Sequence, residues 1–346
     1  MSGTMRALVK HHAGEGAVLK QVPVPEIGPN EVLIQVKATS ICGTDVHIYT
    51  WDEWAAGRVR PPYVFGHEFS GVVVEVGEHV KSVKVGDHVS AETHIVCGTC
   101  SACRRNDYHV CLNTRIIGVD RDGCFTEYVA LPEENLWKND KSLPFEIASL
   151  MEPMGNAVHT TLSGEVTGRS VAVVGCGPIG LMAVAVAKAA GASRVIALDL
   201  NEYRLNLAEA MGATHLVRVN KEDPVQAVKT VTRGDGADVV LEMSGHPVAI
   251  RQAFAMVTYG GRVSMLGLPT RPVELDITND IVFKGVTIHG ITGRRMYETW
   301  EQTSGLLESG RVDLKPLITH RLSLEDFEEG FELMKSGNCG KVVFSV

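Results

Sequence analysis

VAVVGCGPIGLMAVAVAKAAGA, residues 171–192, runs from a short valine-rich strand through a glycine turn into a long apolar helix. Gly175, Gly177 and Gly180 form a G-x-G-x-x-G string at that turn. Alone the string is weak, because glycine-rich turns are common. Between a strand and a helix it has a chemical meaning. The first glycine permits the tight turn, the second lets backbone approach a pyrophosphate, and the third allows close helix–strand packing. The helix start then offers unpaired N–H groups and a positive dipole end to the phosphates. Asp199 closes the next apolar run, at the spacing of an acid that accepts hydrogen bonds from both ribose hydroxyls and repels a 2′-phosphate. That favours NAD over NADP, while Arg204 would either support the ribose or tolerate the phosphate. The competing reading is a structural glycine turn with a capping aspartate.

Outward from this unit the pattern repeats. RVIALD (194–199), HLVRV (215–219), DVVLEMSG (238–245), RVSMLG (262–267) and TIHGIT (287–292) are strand-like runs spaced by helix-length segments. Strands alternating with helices imply parallel βαβ units and a doubly wound α/β sheet of the Rossmann kind. Before residue 150 the texture differs. EVLIQVKA (31–38), GVVVEVGE (71–78), GDHVS (86–90) and FTEYVALP (125–132) are valine-rich runs cut by Gly, Pro, Asp or Asn, which predict an irregular, mostly antiparallel domain. The last fifty residues return to that texture and end in KVVFSV. The division expected is therefore a catalytic domain of residues 1–155, a nucleotide-binding domain of 156–294, and a return of 295–346 to the first domain.

The chain has 346 residues, 45% apolar and 21% charged, with a net charge of −8. These values suit a soluble two-domain protein and argue against a nucleic-acid or anionic-membrane surface. The opening MSGTMRALVKHH lacks the apolar stretch of a secretory signal, and LMAVAVAKAAGA is too short to span a bilayer. A cytoplasmic protein with a small-molecule substrate is the expectation.

Four of the eight cysteines, Cys97, Cys100, Cys103 and Cys111, fall in CGTCSACRRNDYHVC. Steps of three, three and eight let one loop wrap a tetrahedral zinc with four thiolates. A closed four-sulfur shell has no open position, so this site is structural. Disulfides or free thiols are the alternatives, disfavoured by spacing and compartment.

SICGTDVH (40–47) supplies Cys42, Thr44, Asp45 and His47; FGHEFSG (65–71) supplies His67 and Glu68; MEPMGN (151–156) supplies Glu152. Each alone reads more readily as a packed or solvated residue. Together with the nucleotide fingerprint and the cysteine lobe, the chain resembles the medium-chain zinc alcohol dehydrogenases over nearly its whole length. ICGTDVHIYTWDEW, GHEFSG, MEPMGNAVHT, EMSGHP and GITGRRMYETW resemble the threonine-oxidising branch of that superfamily.

The resemblance implies a GroES-like mostly β catalytic domain, a cleft between domains for zinc and nicotinamide, two zinc ions per subunit, and a homotetramer. It implies a catalytic zinc on Cys42 and His67, with Glu68 as an exchangeable ligand, and a proton relay through Thr44 and His47. Glu152 stands where many relatives have a cysteine ligand, so its contact with zinc is either direct or through water. Ile179, Asp199, Arg204, Leu266, Gly267, Leu268, Ile291 and Thr292 are implied to line the coenzyme beside the three glycines.

The chemistry is independent of the resemblance. Hydride leaves a carbinol carbon readily when its oxygen is alkoxide-like. Zinc lowers the pKa of a bound oxygen by about nine units, on the order of 12 kcal/mol. A hydroxyl such as Thr44 can both donate and accept, passing a proton toward His47. Asp45 is a reasonable partner for His67, fixing its tautomer. Glu152 is expected to attract a substrate ammonium, against a bland reading as a helix-start acid. His94 reaches either a substrate carboxylate or solvent; Trp51 and Trp54 either wall the pocket or pack. Cys124, Cys176 and Cys339 read as structural thiols. The resemblance, not the chemistry, sets the reaction expected: oxidation of the 3-hydroxyl of L-threonine to 2-amino-3-oxobutanoate with NAD. The rivals are the same chemistry on a polyol or butanediol, and a zinc-free nucleotide-binding reductase or non-enzymatic relative.

Overall fold

Ser170–Val174 is buried along its whole length, at the centre of a six-stranded sheet in the computed structural model, which describes residues 3–346. The strands are β1 (Ser170–Val174), β2 (Arg194–Asp199), β3 (His215–Arg218), β4 (Ala237–Glu242), β5 (Val257–Met265) and β6 (Thr287–Gly290). Their order is 3-2-1-4-5-6 and every pairing is parallel. This is the doubly wound order in which connections reverse direction at β1. Helices α1 (Pro178–Ala189), α2 (Glu202–Met211), α3 (Pro224–Val231) and α4 (Pro247–Met256) connect successive strands as far as β5. Gly180 to Ala187 are all buried, which explains why α1 is apolar on every side. Asn201 caps α2 through Tyr203 N–H, and Asp223 caps α3 with Pro224 at its first position.

The chain divides into two compact units, residues to Pro153 with Ile318–Val346, and Met154–Leu317. The return to the first unit thus comes at Ile318, later than the 295 expected from texture. The intervening helix Glu298–Glu308 stays with the second unit and buries Trp300, and the turn Lys315–Leu317 packs on α2. Within the second unit Arg262 of β5 is buried. Its guanidinium donates to the carbonyls of Thr160, Thr161 and Gly164 and to the hydroxyls of Ser163 and Ser264. The three carbonyls lie at or just past the end of helix Met151–Leu162, where carbonyls have no partner along the helix.

The first unit is built on a seven-stranded sheet. Its path runs Leu136–Lys138, His88–Ala91, Glu68–Val76, Glu31–Ser40, Lys341–Ser345, Ile318–Ser323, and Tyr128–Pro132 pairs with Glu31–Ser40 off that path. All pairings are antiparallel except the last on the path. Ser40 lies opposite Glu68, just past an irregularity between Val36 and Ala38. Tyr49, Phe65, Phe125, Phe331 and Phe344 form the aromatic centre of the core, with Tyr49 stacked on Phe331 at 4.2 Å. This cluster ties helix Gly43–Thr50, the turn before His67 and the strand Lys341–Ser345 into one rigid block. No described helix is long and apolar enough to cross a membrane.

Candidate functional site

In the first unit Cys42 is the N-cap of helix Gly43–Thr50, and its N–H donates to Asp45 Oδ2 at 2.9 Å. The other Asp45 oxygen lies 3.4 Å from His67 Nδ1, too poorly aligned for a full hydrogen bond; both atoms are buried without another partner. One carboxylate therefore orients the backbone of Cys42 and the ring of His67, leaving Nε2 as the ring nitrogen for a metal. Burial works against a charged His67, yet Asp45 and Cys42 outweigh it and raise the imidazole pKa well above its ordinary value. Gly66, directly before His67, has φ +91, and a Cβ there would come 2.6 Å from the Phe125 ring. Only glycine makes that turn without strain.

Cys42, His67 and Glu68 each present a donor atom within 4.8 Å of the others. Glu68 is fully buried; its Oε2 accepts from Ser40 Oγ and Lys341 Nζ, while Oε1 has no hydrogen-bond partner. A thiol, an imidazole and a carboxylate oxygen aimed at one buried point suit zinc, with room for a further ligand. Glu152, in the first turn of Met151–Leu162, lies outside this donor set and accepts from Thr93 Oγ1 at 2.9 Å.

Thr44 Oγ1 lies 3.9 Å from Cys42 Sγ. His47, more than half exposed, places Nδ1 2.5 Å from Asp52 Oδ2, and Asp52 Oδ1 accepts Ala55 N–H at 3.0 Å to cap helix Glu53–Arg58. Burial opposes its charge, but Ala55 N–H and His47 hold the Asp52 carboxyl below its usual range. His94 Nδ1 is 2.8 Å from Glu92 Oε1. Trp51 lies under Lys10 Nζ at 5.0 Å, and Trp54 is 44% exposed.

The four lobe cysteines also converge. Cys100 Sγ is 3.5 Å from Cys103 Sγ and 3.9 Å from Cys111 Sγ, and Cys111 is 3.6 Å from Cys97. Four sulfurs about 2.3 Å from one zinc stand about 3.8 Å apart at tetrahedral angles. A disulfide needs about 2.05 Å, and all eight cysteines are free. Asn113, Thr99 and the Cys100 N–H donate to Cys97 Sγ, lowering its thiol to about 5.

The second unit gathers the nucleotide residues at the carboxyl ends of its strands. Gly175 has φ +97, and a Cβ on Gly180 would come 2.0 Å from the Gly175 carbonyl oxygen. A Cβ on Gly177 would meet nothing within 4 Å, so the start of α1 has open space beside it. That space, framed by a helix N-terminus, fits a pyrophosphate. Asp199 closes β2 and accepts the N–H groups of Cys176 (2.7 Å) and Asn201 (2.8 Å). Arg204 Nε is buried without a partner, and Ile179 is half-buried in the first turn of α1. Leu266, Gly267 and Leu268 follow β5, with Leu268 88% exposed; Ile291, buried, and Thr292, exposed, follow β6. Glu242 ends β4 and accepts from Ser244 and Gly245 N–H, shaping the loop beside Gly267.

Asp52, Thr93, Ser40, Lys341 and Glu242 were not singled out from sequence. Asp52 had a usable signal, an aspartate just before the helix-forming EWAAGR. Lys341 meets Glu68 across 273 positions and leaves no local trace.

Family models match two stretches: an alcohol dehydrogenase GroES-like domain at residues 28–141 and a zinc-binding dehydrogenase at residues 178–309. The L-threonine 3-dehydrogenase of Bacillus licheniformis is 63% identical over 343 residues, covering 99% of both chains. That of Bacillus subtilis is 62% identical, again covering 99% of each. Among solved structures, an alcohol dehydrogenase from Thermus sp. ATN1 superposes with a TM-score of 0.91 at 34% identity, covering 99% of this chain and 100% of its own.

Proposed function

The chain belongs to the zinc-binding alcohol dehydrogenases, among the L-threonine 3-dehydrogenases, and on that premise we propose that it oxidises the 3-hydroxyl of L-threonine to 2-amino-3-oxobutanoate, hydride passing to NAD. The observation that carries this reading is the buried convergence of Cys42, His67 and Glu68 within 4.8 Å, in a chain so similar to threonine dehydrogenases. Zinc held by these residues supplies Lewis-acid polarisation of the substrate hydroxyl.

The chain's own side chains do the rest. Thr44 receives the hydroxyl proton and passes it to His47, whose position at the surface lets it release the proton to water. Asp52 holds His47 by Nδ1 and so keeps Nε2 available as acceptor. Glu152, fixed by Thr93, draws the substrate ammonium toward the site. Asp199 keeps lone pairs for the ribose hydroxyls beyond the two N–H groups it accepts, and its charge disfavours a 2′-phosphate.

A cytoplasmic homotetramer is part of the same proposal; exposed Tyr259, Ile277, Val282, Phe283 and Ile288 in the second unit support self-association. The test is NAD reduction with L-threonine beside L-allo-threonine, L-serine, sorbitol and 2,3-butanediol, with and without a zinc chelator. Chelator-sensitive activity favouring L-threonine is expected; preference for a polyol or diol refutes the substrate assignment.

A further inference from the structure

Glu68 uses its two oxygens differently. Oε2 is taken by two donors, Ser40 Oγ and Lys341 Nζ, while Oε1 is buried and unpartnered, and one Glu68 oxygen lies within 4.8 Å of the donor atoms of Cys42 and His67. Lys341 is itself 2% exposed and donates also to the carbonyl of Ile41, at 2.9 Å. Ile41 immediately precedes Cys42. A single ammonium thus fixes the backbone before one metal donor and the carboxylate of another.

The pairing is costly to build. A lysine and a glutamate buried without water lose solvation that their attraction only partly returns, and a well-packed apolar pair does at least as well for stability. Placing the cation here therefore serves something other than packing. A carboxylate already neutralised by an ammonium at one oxygen offers less charge through the other. It binds a dication more weakly and gives way more easily to an incoming oxygen.

Resting on the function proposed above, we infer that Lys341 is a positioning residue: it holds Glu68 by Oε2, with Ser40, so that Glu68 serves as a weak, exchangeable zinc ligand rather than a permanent one. The strand Lys341–Ser345 pairs with Glu31–Ser40, whose end lies opposite Glu68, so the backbone sets this distance rigidly.

The experiment compares zinc release from the intact protein into a chromogenic chelator for wild type, Lys341→Met, Lys341→Arg, Ser40→Ala and Lys341→Met/Glu68→Gln. Two release phases are expected. The one that parallels loss of activity reports Cys42, His67 and Glu68; the other reports the cysteine lobe, which Lys341 does not touch. In Lys341→Met the first phase should slow at least tenfold, with kcat for L-threonine falling and KM for NAD unchanged. Lys341→Arg should restore both, Ser40→Ala should move the same way by less, and Glu68→Gln should abolish the slowing. Should Lys341→Met fail to fold, Ser40→Ala carries the test by itself.

Release from Lys341→Met at or above the wild-type rate overturns the inference; in its absence, so does release from Ser40→Ala. Wild type lacking an activity-linked zinc refutes instead the functional reading on which it rests.

Discussion

Replacing Gly177 by alanine separates the fold from the coenzyme site. Gly177 is the N-cap of α1, with φ −63 and ψ 175, a conformation that alanine adopts without strain. A Cβ there meets no protein atom within 4 Å. Gly177→Ala restricts the unfolded chain, worth about 0.4–1 kcal/mol, and gives up a comparable advantage of glycine over alanine at an N-cap. The two roughly cancel, so Tm should stay within about 4 °C of wild type. The methyl instead occupies the space where backbone must approach the pyrophosphate. Losing one charge-assisted hydrogen bond there costs about 1.5–3 kcal/mol, or roughly 10- to 150-fold in affinity. Gly180→Ala provides the contrast. Its Cβ would lie 2.0 Å from a backbone oxygen, so α1 must move by more than an ångström to clear it. Overpacking of that kind costs about 1–3 kcal/mol of stability before any coenzyme is added. Calorimetric melting of both variants, with titration of NAD followed by protein fluorescence, checks the pair. A Gly177→Ala protein that binds NAD like wild type, or melts well below it, refutes this reading of the turn.

Asp52→Asn should lower kcat for L-threonine by about tenfold with zinc content and melting unchanged, because asparagine still caps Glu53–Arg58 but no longer holds His47 as an anion; steady-state kinetics and metal analysis check it. Glu152→Ala should cut turnover of L-threonine far more than that of a simple secondary alcohol, and equal losses would remove its ammonium role. Cys100→Ser should reduce zinc from two ions per chain to one and lower the melting temperature, while the chelator-sensitive ion that supports activity stays. Arg262→Leu removes the donor to the carbonyls of Thr161 and Gly164, while Ser163 still bonds the Thr160 carbonyl and Ser264, a loss of about 3 kcal/mol visible in denaturant unfolding.

The parts legible from sequence were those whose physics is local. β1, the three glycines and α1 are contiguous, and so are the four lobe cysteines, so spacing alone carries their geometry. Cys42 and Asp45 share one helical turn, which is why Asp45 could be expected to serve the site, though spacing does not show that its other oxygen reaches His67. The donor types in GHEFSG were readable, but their convergence with Cys42 depends on the register of Glu31–Ser40 against Glu68–Val76. Glu152 resembles a ligand position, yet its Oε1 accepts from Thr93, in the bend between His88–Ala91 and His94–Ile95, which no periodicity links to Met151–Leu162. Turn-rich texture begins near 295, but packing against α2 keeps Lys315–Leu317 in the second unit, so the domain return lies later than texture indicates.

The position of Lys341–Ser345 has a consequence for the order in which the chain matures during synthesis. The second unit is contiguous, and each of its βαβ steps can close as it emerges from the ribosome. The first unit cannot, because its sheet lacks the strand beside Glu31–Ser40 until residues some three hundred positions later have been made. Until then Ile41 and Glu68 have no ammonium to meet. A product ending before that strand would carry a contiguous nucleotide unit beside a first unit in which Glu31–Ser40 and Glu68 lack these partners.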